Sequence, residues 1–189
     1  MSFRFDSSKS QITIETRAKG MLAKLAHDLS IIVRSYSVTP SVQGGRVSVE
    51  LRAQGSSLEV DGVRKSGHLD RSVLSAGDKS DIHKRIRDDL FQGQDLVARL
   101  EADGDGWLEA ADVSRDVELT GAVSHGRASQ RVSVRARLES TAAQVVVNGT
   151  LRLSLPSLGM TPPKGPLGAF RVDDELEVVF RLHFAREAA

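Results

Sequence analysis

Two-residue alternation between apolar and polar side chains recurs from one end of this 189-residue chain to the other and breaks clearly only once. Ile12 and Ile14 alternate with Thr13 and Glu15, and Val47, Val49 and Leu51 repeat the pattern. It returns at Val132, Val134, Ala136 and Leu138, at Leu151, Leu153 and Leu155, and from Leu176 through Val178, Phe180 and Leu182 to Phe184. Successive strand residues point to opposite faces, so each run marks a strand with one buried and one wet face. Many such strands with little helix predict an all-β chain whose antiparallel sheet curls into a barrel or sandwich. A closed barrel of about eight strands has an interior that its own side chains fill or that holds one small ligand.

The break in the pattern is a predicted amphipathic helix over residues 79–91. Ile82, Ile86 and Leu90 form one stripe, while Arg85, Arg87, Asp88 and Asp89 face away. Asp78 or Ser80 serves as N-cap, and Gly93 follows as a stop. Such a helix packs one face on the barrel. Met21, Leu22 and Leu25 also fall at helical spacing and predict one or two helical turns within 19–26, capping a barrel mouth. The turn Gln43-Gly44-Gly45 predicts a hairpin of 29–38 with 46–53. Residues 62–77 have no clear period, and 107–111 and 117–123 read as further strands. Asn148-Gly149 signals either a two-residue hairpin or one long strand with a glycine bulge. Residues 157–169 are rich in Pro and Gly and lie between core strands, as lids do. With no repeat and no break in composition, residues 1–189 read as a single domain.

Composition narrows the function classes. Lys and Arg number 26 against 25 Asp and Glu, a net charge of +1. That balance gives no reason to expect nucleic acid. Arg131, Arg135 and Arg137 alternate with apolar residues, as on a solvated outer face. The chain has no cysteine, which excludes disulfides, thiolate metal sites and a cysteine nucleophile. No apolar run approaches the roughly 18 residues of a membrane helix. The first residues enter a strand pattern with no signal-like apolar stretch, which predicts a cytoplasmic protein, or a periplasmic one if the N-terminus is not native.

Chemistry-bearing motifs are sparse. There is no nucleophile elbow, phosphate loop or dinucleotide fingerprint, so no cofactor is expected. His27, His68, His83, His125 and His183 show no metal-ligand spacing, and no metal site is expected. His83 on the helix and His183, opposite in parity to Leu182 and Phe184, are expected to be solvated. Asp103-Gly104-Asp105-Gly106 matches part of a calcium loop but lacks the remaining ligands and flanking helices, so it reads as a turn. His27-Asp28 is the sharpest polar feature. It either touches a ligand head group at the mouth or ties the loop to a neighbouring carbonyl.

The order of parts resembles the YceI-like family. Ser10-x-Ile12-x-Ile14, a helix ending in Asp89-Leu90-Phe91, and Leu119-Thr120-Gly121 carry the resemblance. So do Asn148-Gly149-Thr150-Leu151-Arg152-Leu153, Leu158-Gly159-Met160, Val172-Asp173-Asp174-Glu175-Leu176 and Ala26-His27-Asp28-Leu29. Ser124-His125-Gly126 is displaced by one position from the turn that family members often carry. The resemblance implies a lipocalin-like antiparallel barrel that binds polyisoprenoid or other long-chain lipid inside, and it favours the continuous bulged strand at Asn148-Gly149. The candidate lining is Ile12, Ile14, Leu29, Ile31, Val47, Val49, Leu96, Ala98, Val132, Val134, Leu151, Leu153, Val178 and Phe180. Met21, Leu22, Leu25, His27 and Met160 stand at the mouth. The expected function is non-catalytic lipid binding for carriage or storage. The rival is a structural or interaction protein with a solid core, for which a dimer through an edge or an outer face would fit. An enzyme built on His27 and Asp28 would lack any activated nucleophile.

Overall fold

The computed structural model describes residues 2–20, 27–104, 107, 110, 112–165 and 171–187. The alternating segments become strands β1 (Ser2–Phe5), β2 (Gln11–Glu15), β3 (Ala18–Lys19), β4 (Asp28–Val33), β5 (Tyr36–Gln43), β6 (Arg46–Ala53), β7 (Leu58–Lys65) and β8 (His68–Asp70). After the helical segment come β9 (Leu96–Asp103), β10 (Val113–His125), β11 (Ala128–Ser140), β12 (Gln144–Ser154), β13 (Arg171–Val172) and β14 (Glu175–Glu187).

The antiparallel pairings close into a ring. β4 runs into β5 through Arg34 and Ser35, and β6 runs into β7 through a 3-10 turn at Gly55–Ser57. These two long bent strands pair with each other over both halves. On their outer sides β4 pairs with β2, and β6 pairs with β9. From β9 the ladder passes through β10, β11 and β12 to β14, and β14 pairs with both β1 and β2. The ring is therefore β1/β2, β4/β5, β6/β7, β9, β10, β11, β12 and β14, a barrel of eight staves. β11 shows the alternation best: Val132, Val134, Ala136, Leu138 and Ser140 are buried while the residues between them are exposed.

Several local readings change. The strand predicted over 29–38 divides at Arg34-Ser35, and the hairpin pairs Tyr36–Gln43 with Arg46–Ala53, through Pro40. A proline fits there because β5 pairs with β6 alone. Residues 62–77 contain the end of β7 and its hairpin partner β8, whose three residues are all exposed and so carry no period. Trp107 stands in a turn, not a strand, and residues 108, 109 and 111 lie outside the described residues, as do Met21, Leu22, Leu25 and most of the predicted helical turn. The start of that segment, Ala18–Lys19, is a strand paired with Arg171–Val172. β12 runs through Asn148-Gly149 with constant register against β14, so there is neither hairpin nor bulge. Pairing on both sides outweighs the local turn signal. The glycine has a packing reason: a Cβ at Gly149 would lie 2.5 Å from the Phe180 ring.

The helix begins earlier than expected. Ser75 is the N-cap of α1 (Ala76–Arg85): its hydroxyl accepts from the Asp78 N–H, and the Asp78 carboxylate accepts from the Ser75 N–H. This reciprocal pair is spelled Ser75-x-x-Asp78. A π-helical turn, Ile86–Phe91, prolongs the helix. Ile86 and Phe91 are buried, with Ile82 and Leu90 half-buried against the core. The segment packs on β7 and the Gly55–Ser57 turn, where the bent strand passes from β6, paired with β9, to β7, paired with β4 and β8. The Phe91 ring occupies the space above Gly55, where a Cβ would come within 2.3 Å of its Cδ1.

Two histidines expected to be solvated are only partly exposed. His83 Nδ1 lies 2.7 Å from the Leu58 carbonyl, pinning α1 to β7. His183 is covered by the link between β1 and β2: the Asp6 N–H donates to the His183 carbonyl at 2.9 Å, and the His183 N–H donates to Ser10 Oγ at 2.9 Å. Its buried Nδ1 has no hydrogen-bond partner. Burial, then the nearby cations Arg181 and Lys9, push its pKa below the ordinary value, with Asp6 opposing. The unfolded chain takes up this proton near its ordinary pKa of about 6.5, and the folded chain only at lower pH. His183 therefore makes stability fall as pH drops below about 6.5. Urea unfolding of the wild type and His183→Gln across that range checks this, with a shallower pH dependence expected for the variant. Asp6, Asp70 and Asp78, held low first by side-chain hydrogen bonds from Ser8, Ser72 and Ser75, lose their contributions only below about pH 4.

Candidate ligand-binding site

The inward faces enclose two adjoining chambers. The inner one has a volume of ≈ 140 Å³ and walls that are almost wholly apolar. The outer one, at the mouth, has a volume of ≈ 310 Å³. Ile14, Leu58, Leu96, Leu153 and Val178 line both, so they form the neck between them. The outer volume lies at the small end of the range of about 300–1,000 Å³ typical of ligand pockets. The inner one matches apolar voids of about 150 Å³ that stay dry and accept benzene-sized guests.

Trp107 and Arg186 stand at the end away from the mouth. Trp107 is 5 % exposed and lines the inner chamber, with its indole N–H donating to the Asp103 carbonyl at 2.8 Å. Arg186 Nη2 donates to Ser140 Oγ at 2.6 Å and to the carbonyls of Ala110 at 2.9 Å and Trp107 at 3.3 Å. Its guanidinium lies over the Phe3 ring, 5.5 Å from the centroid. The sequence reading missed this floor, for which a lone tryptophan after a Gly-rich turn is the only signal.

The mouth is shaped by the α1 segment, the β3–β13 ribbon and the stretch after β12. Buried Asp173 anchors the ribbon: its carboxylate pairs with Lys19 at 2.7 Å, and its N–H donates to the Arg17 carbonyl at 2.7 Å. Burial raises the Asp173 pKa, but Lys19 and the N–H groups of Glu175 and Asp174 outweigh it, and the net direction is downward. Leu155 and Leu158 are buried behind a 3-10 turn at Pro156–Leu158. Met160, 5 % exposed, lines the outer chamber.

The same architecture occurs in two solved structures. BcnA of Burkholderia cenocepacia superposes with a TM-score of 0.61 at 13 % identity, over 95 % of this chain and 99 % of that one. A polyisoprenoid-binding domain from Saccharophagus degradans, implicated in plant cell wall breakdown, superposes at 0.67 and 12 % identity, over 99 % of both chains. This chain has the YceI-like fold. No protein-family model and no curated protein matches its sequence.

Within the YceI-like barrel, the residues expected to line a cavity divide into three sets. Ile12, Val47, Val49, Ala98, Leu151 and Phe180 face the inner chamber, and Leu29, Ile31, His27 and Met160 the outer. Ile14, Leu96, Leu153 and Val178 stand at the neck. Val132 and Val134 are buried but line neither chamber, which corrects their place in the expected lining. His27 is exposed at the rim, whereas the Asp28 carboxylate accepts from the Ala18 N–H at 2.8 Å. It is Asp28, therefore, that joins β4 to β3. Sequence reading also missed Leu58, Leu74 and Arg85 as lining residues, since each sits beside a turn or on the helix where no strand parity applies.

Proposed function

We propose that this barrel binds an elongated apolar molecule, a polyisoprenoid or another long-chain lipid, without transforming it, and carries or stores it. The observation behind this reading is the pair of apolar chambers joined at one neck. Each methylene buried there is worth about 0.8 kcal/mol, so ten of them offer on the order of 8 kcal/mol before the costs of ordering. The likeness in fold to a polyisoprenoid-binding domain supports the same choice of guest. Against catalysis stands the separation of roles at His27 and Asp28: the carboxylate serves a backbone N–H and does not orient an imidazole.

The small inner volume favours one other reading, a barrel filled mainly by its own side chains that acts as a structural or interaction module, dimeric through an outer face. Native mass spectrometry of the purified protein separates the two. A mass excess lost on organic extraction is expected for the carrier. A chain of bare mass that takes up no added long-chain lipid would support the filled barrel, and the same spectra report any dimer.

A further inference from the structure

We infer that the guest is an amphiphile with an anionic head, held at a cationic rim around the mouth while its chain lies inside. This rests on the lipid-binding reading above and adds the chemistry of the head group. Arg17, Arg85, Lys164, Arg171 and His27 all line the outer chamber, and no carboxylate does among the described residues. Below them the walls are apolar as far as the neck. The arrangement is local, since positive and negative side chains nearly cancel over the whole chain.

Elsewhere on the barrel many arginines pair with carboxylates, as Arg34 does with Glu59, Arg99 with Glu50 and Arg137 with Asp116, while Arg131 and Arg135 stand on the open outer face of β11 and not around a chamber. Among the described rim cations two have carboxylate partners. Arg17 reaches Glu177 at 3.0 Å and Arg171 reaches Asp174 at 2.8 Å, and both carboxylates lie outside the chamber lining. Arg85 and Lys164 have no carboxylate partner among the described residues. The neighbouring segments 21–26 and 166–170 contain no Asp or Glu in sequence. Cations beside a low-dielectric wall act on an anion more strongly than they do in open water. A phosphate or carboxylate accepts charge-assisted hydrogen bonds there, and the Arg85 fork can grip two of its oxygens.

The test uses the full chain stripped of lipid and three probes that share a tail: dodecyl phosphate, dodecanoate and dodecanol. Each is kept below its micelle-forming concentration and displaces the neutral reporter N-phenylnaphthylamine. At low salt the anions should bind about tenfold more tightly than the alcohol, the scale of two partly exposed charge contacts, and the gap should narrow as salt rises. The double variant Arg85→Gln with Lys164→Gln should lose most of that gap and keep the wild-type affinity for dodecanol, which also reports an intact barrel. A phosphate preference over carboxylate identifies a phosphate ester as the head, and equal preference a head read by charge alone. Equal affinity for all three probes, or an unchanged gap in the double variant, overturns the inference while leaving lipid binding in place. If no probe binds and the reporter is not taken up, the lipid-binding reading falls and this inference with it.

Discussion

Leu153→Arg should abolish uptake of a long-chain lipid, lowering affinity by a hundredfold or more, while Arg152→Gln leaves it within about twofold. The two positions are adjacent in β12 and face opposite ways. Leu153 is 5 % exposed and forms part of the neck, whereas the Arg152 side chain is 73 % exposed and lies 3.7 Å from Glu177 on the outer face. A guanidinium in the neck meets apolar side chains from four other strands or turns and no carboxylate. It would exclude the guest or draw water into both chambers. Leu153→Phe is the companion variant, because it blocks the same neck with volume alone. Displacement assays on all three, with circular dichroism to confirm the folded barrel, check the assignment. Equal loss at positions 152 and 153 would refute the inward placement of Leu153.

Phe91→Ala should cost about 3–5 kcal/mol of stability, the range for a buried aromatic truncated to alanine. Phe91 is 3 % exposed and ends the helical segment. Its ring fills the space over Gly55 and meets His125 edge-on, with centroids 5.7 Å apart. His125 in turn places Nε2 at 3.2 Å from the Phe91 carbonyl and Nδ1 at 3.3 Å from the Leu158 carbonyl. One ring thus joins the helix end, the turn between β6 and β7, the end of β10 and the turn after β12. Removing it leaves a cavity that the glycine opposite cannot fill. Urea unfolding measures the loss, and a change below about 1 kcal/mol would mean the site collapses freely.

The barrel itself was legible because β11, β12 and β14 alternate cleanly, and period two survives any error in strand ends. What escaped had physical causes. Residues 29–38 look like one strand because the bend at Arg34-Ser35 carries no Gly or Pro. Asn148-Gly149 is a strong turn signal, but a signal within two residues cannot report that strands pair with both sides of Gly149 or that Phe180 needs its space. The capping box Ser75-x-x-Asp78 was readable and would have placed the helix start correctly. His183 was assigned to solvent by parity, which knows nothing of a link such as Asp6–Ser10 folded across an outer face. The apolar walls of the site followed from alternation. The rim did not, because Arg17, Arg85, Lys164 and Arg171 come from four separate segments that only the fold assembles.

Among the described residues Trp107 and Arg186 floor the inner chamber, and a vessel filled from its mouth works in one direction. A chain whose head is held at the rim would enter such a vessel tail first and leave it head first. Delivery to an acceptor would require the same opening to turn from donor to recipient. Release would slow with every added unit of tail, since each must retrace the neck past Leu153. Residence time would thus act as a ruler of chain length, set by geometry before any side chain discriminates between tails.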